Sequence, residues 1–446
     1  MLKRLPSRTL IEALVNAHRA CAFTRHFGPK KGTAPKISDP VAKHLVTTFA
    51  YSTHLGPTQV ATHLRGNFDA RELRYINRHH MTAERLYLAT RDVINHYNRI
   101  PIGALWGSGT HIEIYQGNKF SEHHIRYGKP GGIAYHYVSD KYVVLFTTFI
   151  PCSAWEGVYI LDLFQKNTSE IQPKTIHADT QGQSATIFGL SYLLGAKLMP
   201  RIRNWRDLIL FRPNNHERYG YLGQMFKGTI DWKIIRTHWQ EMMQIVFSIQ
   251  AGKLWPSTLL KKLSSYSHKN KLYLAFRELG RVIRTMFILE YLTSVDMQRD
   301  IQRMTNKVEG FNRFNEWFVI GSRGVITDNN PDEFDKRMKY RDLMANCVIW
   351  QTAIDLTRTV QEIAATGKWK ITLDDLEMLS PYITRHYKRF GEFVIELDRA
   401  MTVNEAELKL PDSIQRAPKP VLGVPNVYDE AAEEVEDSRF IDEDEW

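Results

Sequence analysis

The chain has 446 residues, of which 43% are hydrophobic and 24% charged, a composition typical of a globular protein with a sizeable core. Its three cysteines lie far apart, which excludes a disulfide framework and a zinc site built on paired cysteines. The longest apolar run, near residues 142–151, is too short to span a membrane. We therefore expect a cytoplasmic protein with no membrane partner.

The basic and acidic residues are unevenly distributed along the chain. The formal net charge is +10, but the segment from Tyr428 to Trp446 contains ten acidic residues and one arginine. This segment contributes −9, so residues 1–427 carry a net charge of +19. A body this basic predicts a polyanionic partner, most commonly nucleic acid. The alternative is a surface charge that serves solubility alone.

Residues 1–100 predict a helical N-terminal region. Ser7 or Thr9 is placed to cap a helix over 10–22, and Asp39 precedes a helix that begins with proline. Thr82 is placed to cap a longer amphipathic helix.

Residues 101–206 predict the sheet core of the protein. The pattern reads strand, strand, strand, helix, strand, helix, strand, with segments at 105–115, 131–139, 141–150, 155–164, 175–178, 184–194 and 197–202. This order predicts a ribonuclease H-like fold, in which helices cover a mixed sheet. Asp179 stands where the fourth strand enters a loop, the place where α/β sheets put chemical groups. The alternative is an aspartate that caps a turn or helix.

Residues 207–305 predict a large helical insertion after the sheet. Within it, helical patterns cover 232–250 and 271–294. Arg277, Arg281 and Arg284 are spaced by four and three residues and therefore share one helix face. This face predicts a DNA phosphate-binding surface, and a solvated basic face is the alternative.

The rest of the chain predicts catalytic and packing helices over 306–400, followed by a disordered acidic tail over 401–446. Helical patterns cover 306–320, 332–364 and 382–400, and Glu309 lies on the first of them.

Short motifs in a fixed order carry a resemblance to a known family. They are WGSGT at 106–110, YGKPGG at 127–132, YVSDKY at 137–142, DTQG at 179–182, LLG at 193–195, PRIR at 200–203, NKVE at 306–309 and SPYITRHYKRFG at 380–391. Over about residues 10–400 the chain resembles the C-terminal catalytic region of the DDE transposases of class II replicative transposons, the Tn-three type. Members of that family are longer and have N-terminal DNA-binding domains, so the resemblance implies a truncated member.

The resemblance implies a ribonuclease H-like site in which three carboxylates hold two Mg²⁺ ions that cut and join phosphodiesters at transposon ends. Asp179 matches the second carboxylate of the family motif and Glu309 the third. Lys307 and Arg203 would lie near the scissile or flanking phosphates. The expected partners are DNA and either a second copy of this chain or a full-length transposase, with the protein on the nucleoid when bound.

The first carboxylate of the family pattern is replaced in this chain. Gln116 stands where the family has aspartate, and one residue is inserted before it. The nearest acid is Glu113, three positions earlier, so on a strand it faces the opposite side from Gln116. Substitution by Glu113 would then require a bulge or register shift. Three hypotheses remain open: an active transposase, a catalytically inactive relative that binds DNA or another transposase, and a decayed fragment with no activity.

Overall fold

The computed structural model describes residues 1–30, 37–66, 68–124, 129–150, 155–204, 208–265, 270–321, 330–391 and 393–417. The helices are α1 Leu10–Cys21, α2 Pro40–Ser52, α3 Gly56–His63, α4 Ala70–His79, α5 Ala83–Asn98, α6 Pro101–Trp106, α7 Leu163–Lys166, α8 Ala185–Leu193, α9 Trp232–Thr237, α10 Trp239–Gln250, α11 Pro256–Ser265, α12 Lys271–Thr293, α13 Val295–Trp317, α14 Pro331–Ala365 and α15 Leu373–Glu377. The strands are β1 Arg8–Thr9, β2 Leu64–Arg65, β3 His111–His124, β4 Lys129–Ser139, β5 Val144–Ile150, β6 Thr175–Ala178, β7 Lys197–Pro200, β8 Leu210–Arg212, β9 Phe226–Thr229, β10 Tyr387–Lys388 and β11 Phe393–Val394.

A five-stranded mixed sheet forms the centre of the fold, with strand order β5-β4-β3-β6-β7. β5, β4 and β3 pair antiparallel, whereas β3, β6 and β7 pair parallel. Consequently β3, β5, β6 and β7 all run in the same direction and end at the same edge of the sheet. This is the mixed α/β sheet that the sequence predicts, and the bounds of β6 are those predicted.

Helices cover the sheet and the N-terminal region. α13 packs against β3 and β6, α14 packs against β5 and α5, and α8 packs against β7 and α12. The middle of α14 is buried on all sides, including Trp350, because α1, α2 and α5 of the N-terminal region surround it. No helix in the described ranges is both long enough and apolar enough to cross a bilayer.

The predicted helical N-terminal region is present, and its caps differ in detail. The Thr9 side chain accepts a hydrogen bond from the Glu12 amide, and Glu12 accepts one from the Thr9 amide, a complete capping box. Thr82 caps α5 through the Arg85 amide. Asp39 precedes α2 as predicted, but its backbone is left-handed and its side chain makes no capping bond.

The structure differs from the sequence-based expectations at four places. Residues 382–400 form no helix, because β10 and β11 instead pair in parallel with β1 and β2 of the N-terminal region, and Gly391 has a φ of 127°. The insertion contains a small parallel sheet, β8 with β9, and the helix predicted over 232–250 is broken at His238. Helix α13 runs uninterrupted across the predicted boundary at 305/306.

The predicted disordered tail begins too early. Leu408 and Ile414 are buried, and Ile414 packs with Val360 and Leu376 of the C-terminal helices. The acidic run at 428–446 lies outside the described residues.

Helices α8 and α12 cross with their backbones in contact. A Cβ atom at Gly280 would lie 1.5 Å from the carbonyl oxygen of Ala185, and one at Gly189 would lie 2.4 Å from the carbonyl oxygen of Phe276. Both contacts are with backbone, which cannot rotate away. Glycine is therefore required on both helices for the insertion to dock on α8.

We predict that Gly280→Ala lowers the free energy of unfolding by about 2–3 kcal/mol or more, because the added methyl group separates the two helices. Gly28→Ala is the matched control, since no atom lies within 4 Å of the place its methyl group would take and its φ is ordinary. Denaturant unfolding of both variants measures the difference. Equal stability of the two variants would show that the crossing tolerates a side chain.

Candidate active site

Asp179 lies at the exit of β6, as predicted, and is partly exposed. The chain then turns through a short 3-10 helix, Thr180–Gln183, in which the Gly182 amide donates to the Asp179 carbonyl oxygen at 3.1 Å. A Cβ atom at Gly182 would lie 2.8 Å from Cβ of Ala178. Gly182 therefore allows close packing against the strand, and it does not supply the unusual φ that a turn glycine suggests.

Glu113 lies on β3 directly opposite His177 of β6, two residues before Asp179. Its side chain is 2% exposed, and its Oε2 atom has no hydrogen-bond partner among the described residues. Burial raises the pKa of Glu113 well above its ordinary value, the negative charges of Asp179 and Glu309 raise it further, and Arg201 opposes them. Asp179 and Glu309 therefore both lie within electrostatic reach of Glu113.

Glu309 lies on the exposed side of α13. The buried residues Val308, Phe311 and Phe314 hold the opposite side of this helix in the core, and the Phe311 ring packs edge-on against His136 of β4. The helix thereby carries Glu309 over the face of the sheet that includes Glu113. Within the described ranges no three acidic, histidine or cysteine side chains lie close enough together to hold a metal ion.

The backbone around position 116 is regular. β3 pairs with β4 without interruption from Ile112 opposite Ser139 to Lys119 opposite Gly132, and the first register shift follows Lys119. Residue 116 therefore belongs to the strand positions that alternate with 113, and its side chain lies outside the described part of the structure. The pairing from 113 to 116 thus contains no bulge, and Glu113 nonetheless lies within electrostatic reach of Asp179 and Glu309.

Lys307 does not face solvent, although it is only two residues from Glu309. The side chain is buried, and Nζ donates to the carbonyl oxygens of Trp106 at 2.5 Å and Asp140 at 2.6 Å. It also lies 4.5 Å from the centre of the Tyr142 ring. Burial lowers the pKa of Lys307 to about 8. The side chain of Lys307 therefore points away from Glu309, since residues two apart on a helix point about 200° apart, and its contact with phosphate remains a prediction.

The turn between β4 and β5, which contains Asp140 and Tyr142, is also held by the loop that precedes β3. The Asp140 carboxylate accepts hydrogen bonds from the backbone amides of Ser108 at 2.9 Å and Gly109 at 3.0 Å. A Cβ atom at Gly107 would lie 2.6 Å from Asp140, and Gly109 has a φ of 79°. Both glycines of the WGSGT motif are thus needed for this loop to close on the β4–β5 turn.

A third segment reaches the turn from the C-terminal region. The Tyr382 hydroxyl donates to the Tyr142 carbonyl oxygen at 2.7 Å, and the indole of Trp106 donates to the Leu376 carbonyl oxygen at 3.0 Å. The Tyr382 ring also stacks on Phe314 of α13 at 5.1 Å. We name this set the turn clamp: Trp106, Asp140, Tyr142, Lys307 and Tyr382. Sequence spacing gave no sign that these residues meet.

The basic residues predicted to contact DNA differ in exposure, since Arg203 is exposed and the arginines of α12 are partly buried. Arg203 is exposed just after β7. Arg281 and Arg277 lie 2.5 Å and 3.5 Å from the carboxylate of Glu278, which is buried, and Arg281 also covers the Phe211 ring.

Arg284 reaches back toward the site, since its guanidinium donates to Gln183 Oε1 at 3.4 Å, at the end of the turn after Asp179. The three arginines of α12 therefore contact the insertion and the turn after Asp179 while staying partly exposed, and their contact with DNA remains a prediction.

Comparison with known proteins agrees with this geometry. Residues 12–393 match the family described as the Tn3 transposase DDE domain. The chain belongs to this family. It is similar to the transposase of transposon Tn21 from Escherichia coli, with 30% identity over 87% of this chain and 40% of the relative. It is also similar to the transposase of Tn501 from Pseudomonas aeruginosa, at 28% over 89% and 41%.

The chain spans about two fifths of the length of these relatives. The transposase of Tn1546 from Enterococcus faecium gives the same proportion, with 24% identity over 91% of this chain and 41% of the relative. The matched region of this Tn3-family chain contains the sheet, the three acids and the turn clamp.

We predict that Lys307→Met destabilises the protein by about 2–4 kcal/mol, because it leaves two buried carbonyl oxygens without a donor. The exposed Lys271 at the start of α12 provides the control, and Lys271→Met should change stability by less than about 0.5 kcal/mol. Chemical denaturation compares the two. A Lys307→Met variant as stable as the control would show that the clamp does not hold the fold.

Proposed function

We propose that this chain is the catalytic domain of a DDE transposase with a ribonuclease H-like fold. The sheet supports the fold assignment, because three antiparallel strands continue into two parallel strands and a helix covers the strands that carry the acids. The family membership supports the function. The observation that carries the proposal is the position of Glu113 on β3, opposite His177 of β6 and so beside the exit where Asp179 lies, with the charges of Asp179 and Glu309 near enough to raise its pKa.

The carboxylates are of the ligand type that suits a divalent cation, although among the described residues they form no group close enough to hold one. Oxygen ligands suit Mg²⁺, and the unpartnered Oε2 of Glu113 lies within the influence of two further negative charges. A bound cation would remove that repulsion. Glu113, Asp179 and Glu309 are the residues that would hold it, and the group itself would activate the attacking hydroxyl and stabilise the leaving oxygen. Glu113 then acts as the first carboxylate in place of Gln116.

The side chains differ in the access they have to DNA. Asp179 is partly exposed and Glu309 is exposed, so both can approach a phosphodiester, whereas Glu113 is buried beneath them. The rigid strand and the clamped helix hold the acids in place before substrate arrives, which preorganises the site. Arg201 and Arg203 follow β7 and bring positive charge to the same edge of the sheet.

We predict that Glu113→Gln reduces metal-dependent cleavage or joining of a labelled transposon-end duplex by about 10²–10³-fold, as the loss of a preorganised electrostatic group does. Asp179→Asn and Glu309→Gln should have comparable effects. Gln116→Leu should leave activity near that of the wild type. Titration of Mn²⁺ into each variant gives a second readout, in which affinity falls for the three acid variants alone.

The second candidate function is a catalytically inactive relative that binds DNA or a full-length transposase, and the neutral Gln116 at the family's first acidic position favours it. It predicts no cleavage by the wild type and a gain of metal affinity in Gln116→Asp. That result, together with a Glu113→Gln variant of unchanged metal affinity, would exclude Glu113 as the first acid. DNA and a second transposase chain are the partners under either function.

A further inference from the structure

The outer face of α4 carries a row of arginines that sequence analysis did not assign. Arg71, Arg74 and Arg78 are spaced by three and four residues, share one side of the helix and are exposed. Among the described residues none of them forms an ion pair, and Arg74 donates one hydrogen bond to the hydroxyl of Thr58. Unlike the arginines of α12, these side chains are available to a partner.

Two further cations extend this row. The Lys30 amide donates to the His79 carbonyl oxygen at 3.1 Å, which places Lys30 at the C-terminal end of α4. Arg337 of α14 lies 5.5 Å from the Tyr51 ring. We name Lys30, Arg71, Arg74, Arg78 and Arg337 the α4 basic surface.

The pKa of the neighbouring Lys336 indicates that several cations of the α4 basic surface lie close together. Lys336 is buried and donates to the Asn77 carbonyl oxygen of α4. Burial lowers the pKa of Lys336 to about 8, and the positive charges of Lys30, Arg337 and Arg78 contribute to the lowering, while Glu333 opposes it. Lys30, Arg78 and Arg337 therefore lie near enough to Lys336, and so to one another, to act as one positively charged region.

The α4 basic surface lies at the same edge of the sheet as the candidate active site. Phe334, one turn before Arg337 on α14, stacks on Phe149 at 4.9 Å. Phe149 is near the end of β5, which runs in the same direction as β6, and it is level with Gly117 of β3. Three strand spacings of about 4.8 Å separate β5 from β6, so Phe149 lies roughly 15 Å from the exit of β6.

We propose that the α4 basic surface binds the phosphate backbone of DNA about five nucleotides or more from the phosphodiester at the active site. The proposal rests on the proposed transposase function, which supplies the DNA. The α4 basic surface lies beyond Phe149, and a strand of B-form DNA has one phosphate per about 3.4 Å, so a separation of roughly 15 Å or more corresponds to about five phosphates or more. Guanidinium groups bind phosphate oxygens in a bidentate manner and recognise no sequence, so this surface positions the duplex.

The test compares two double variants of the full chain with the same change in charge. Arg74→Glu/Arg78→Glu reverses the α4 basic surface, and Arg399→Glu/Lys409→Glu reverses two exposed cations elsewhere. Fluorescence anisotropy with a labelled duplex of about 30 base pairs measures affinity at about 50 and 200 mM NaCl. We expect at least about tenfold weaker binding for the α4 variant, a salt-dependence slope lower in magnitude by about two, and a change below about threefold for the control.

The outcomes separate this proposal from the proposed function. If the wild type binds DNA and both double variants weaken binding equally, the α4 surface is not the contact and the transposase function stands. If the wild type binds no duplex at the lower salt concentration, the proposed function fails and this proposal fails with it. Thermal unfolding checks both variants, and Arg74→Gln/Arg78→Gln replaces the reversal if that variant unfolds, with at least about threefold weaker binding expected.

Discussion

The fold around the site depends on one buried ammonium group, that of Lys307. It joins three segments that are distant in sequence: the loop before β3, the β4–β5 turn and helix α13. An unpaired charge in this environment would be strongly destabilising, but here two carbonyl oxygens and the Tyr142 ring surround it. Because β3 carries Glu113 and α13 carries Glu309, the turn clamp sets the relative position of two of the three acids.

The acids of the candidate site destabilise the fold, whereas the turn clamp stabilises it. Glu113 is buried with one oxygen unpartnered and with two like charges nearby, an arrangement that lowers the stability of the metal-free fold. Such strained groups are retained in proteins mainly where chemistry needs them. The surrounding core compensates, since the strands and α13 are anchored by buried apolar residues and by the turn clamp, and the acids remain in place despite their repulsion.

The sequence predicted those features that depend on local pattern. The bounds of β6, the position of Asp179 at its exit, helix α12 and the order of the sheet strands all follow from residue spacing over short windows. Features that depend on distant contacts were missed. The segment at 382–400 has apolar residues at helical spacing, but its backbone pairs with β1 and β2, which only the folded chain brings near.

At the candidate site, too, local pattern predicted some features and distant contacts determine the others. Motif position assigned Glu309 to metal and Lys307 to phosphate, and the structure places Glu309 on the exposed side of α13 and Lys307 in the core. The pattern also favoured position 116 over 113, whereas the parallel pairing of β3 with β6 sets Glu113 opposite His177 and hence beside the exit where Asp179 lies. That pairing register cannot be read from either strand alone.

The insertion acts on the site through α8, the helix that follows the Asp179 turn. Glycines let α12 contact the backbone of α8, and Arg284 of α12 donates to Gln183 at the end of that turn. Gln183 in turn donates to the carbonyl oxygen of Arg201 at 2.9 Å, so the turn after β6 is linked to the segment after β7. The arginines of α12 face this interior network and the buried Glu278. The α12 arginines that hold the Asp179 turn are therefore less accessible to DNA than the exposed arginines after β7 and on α4.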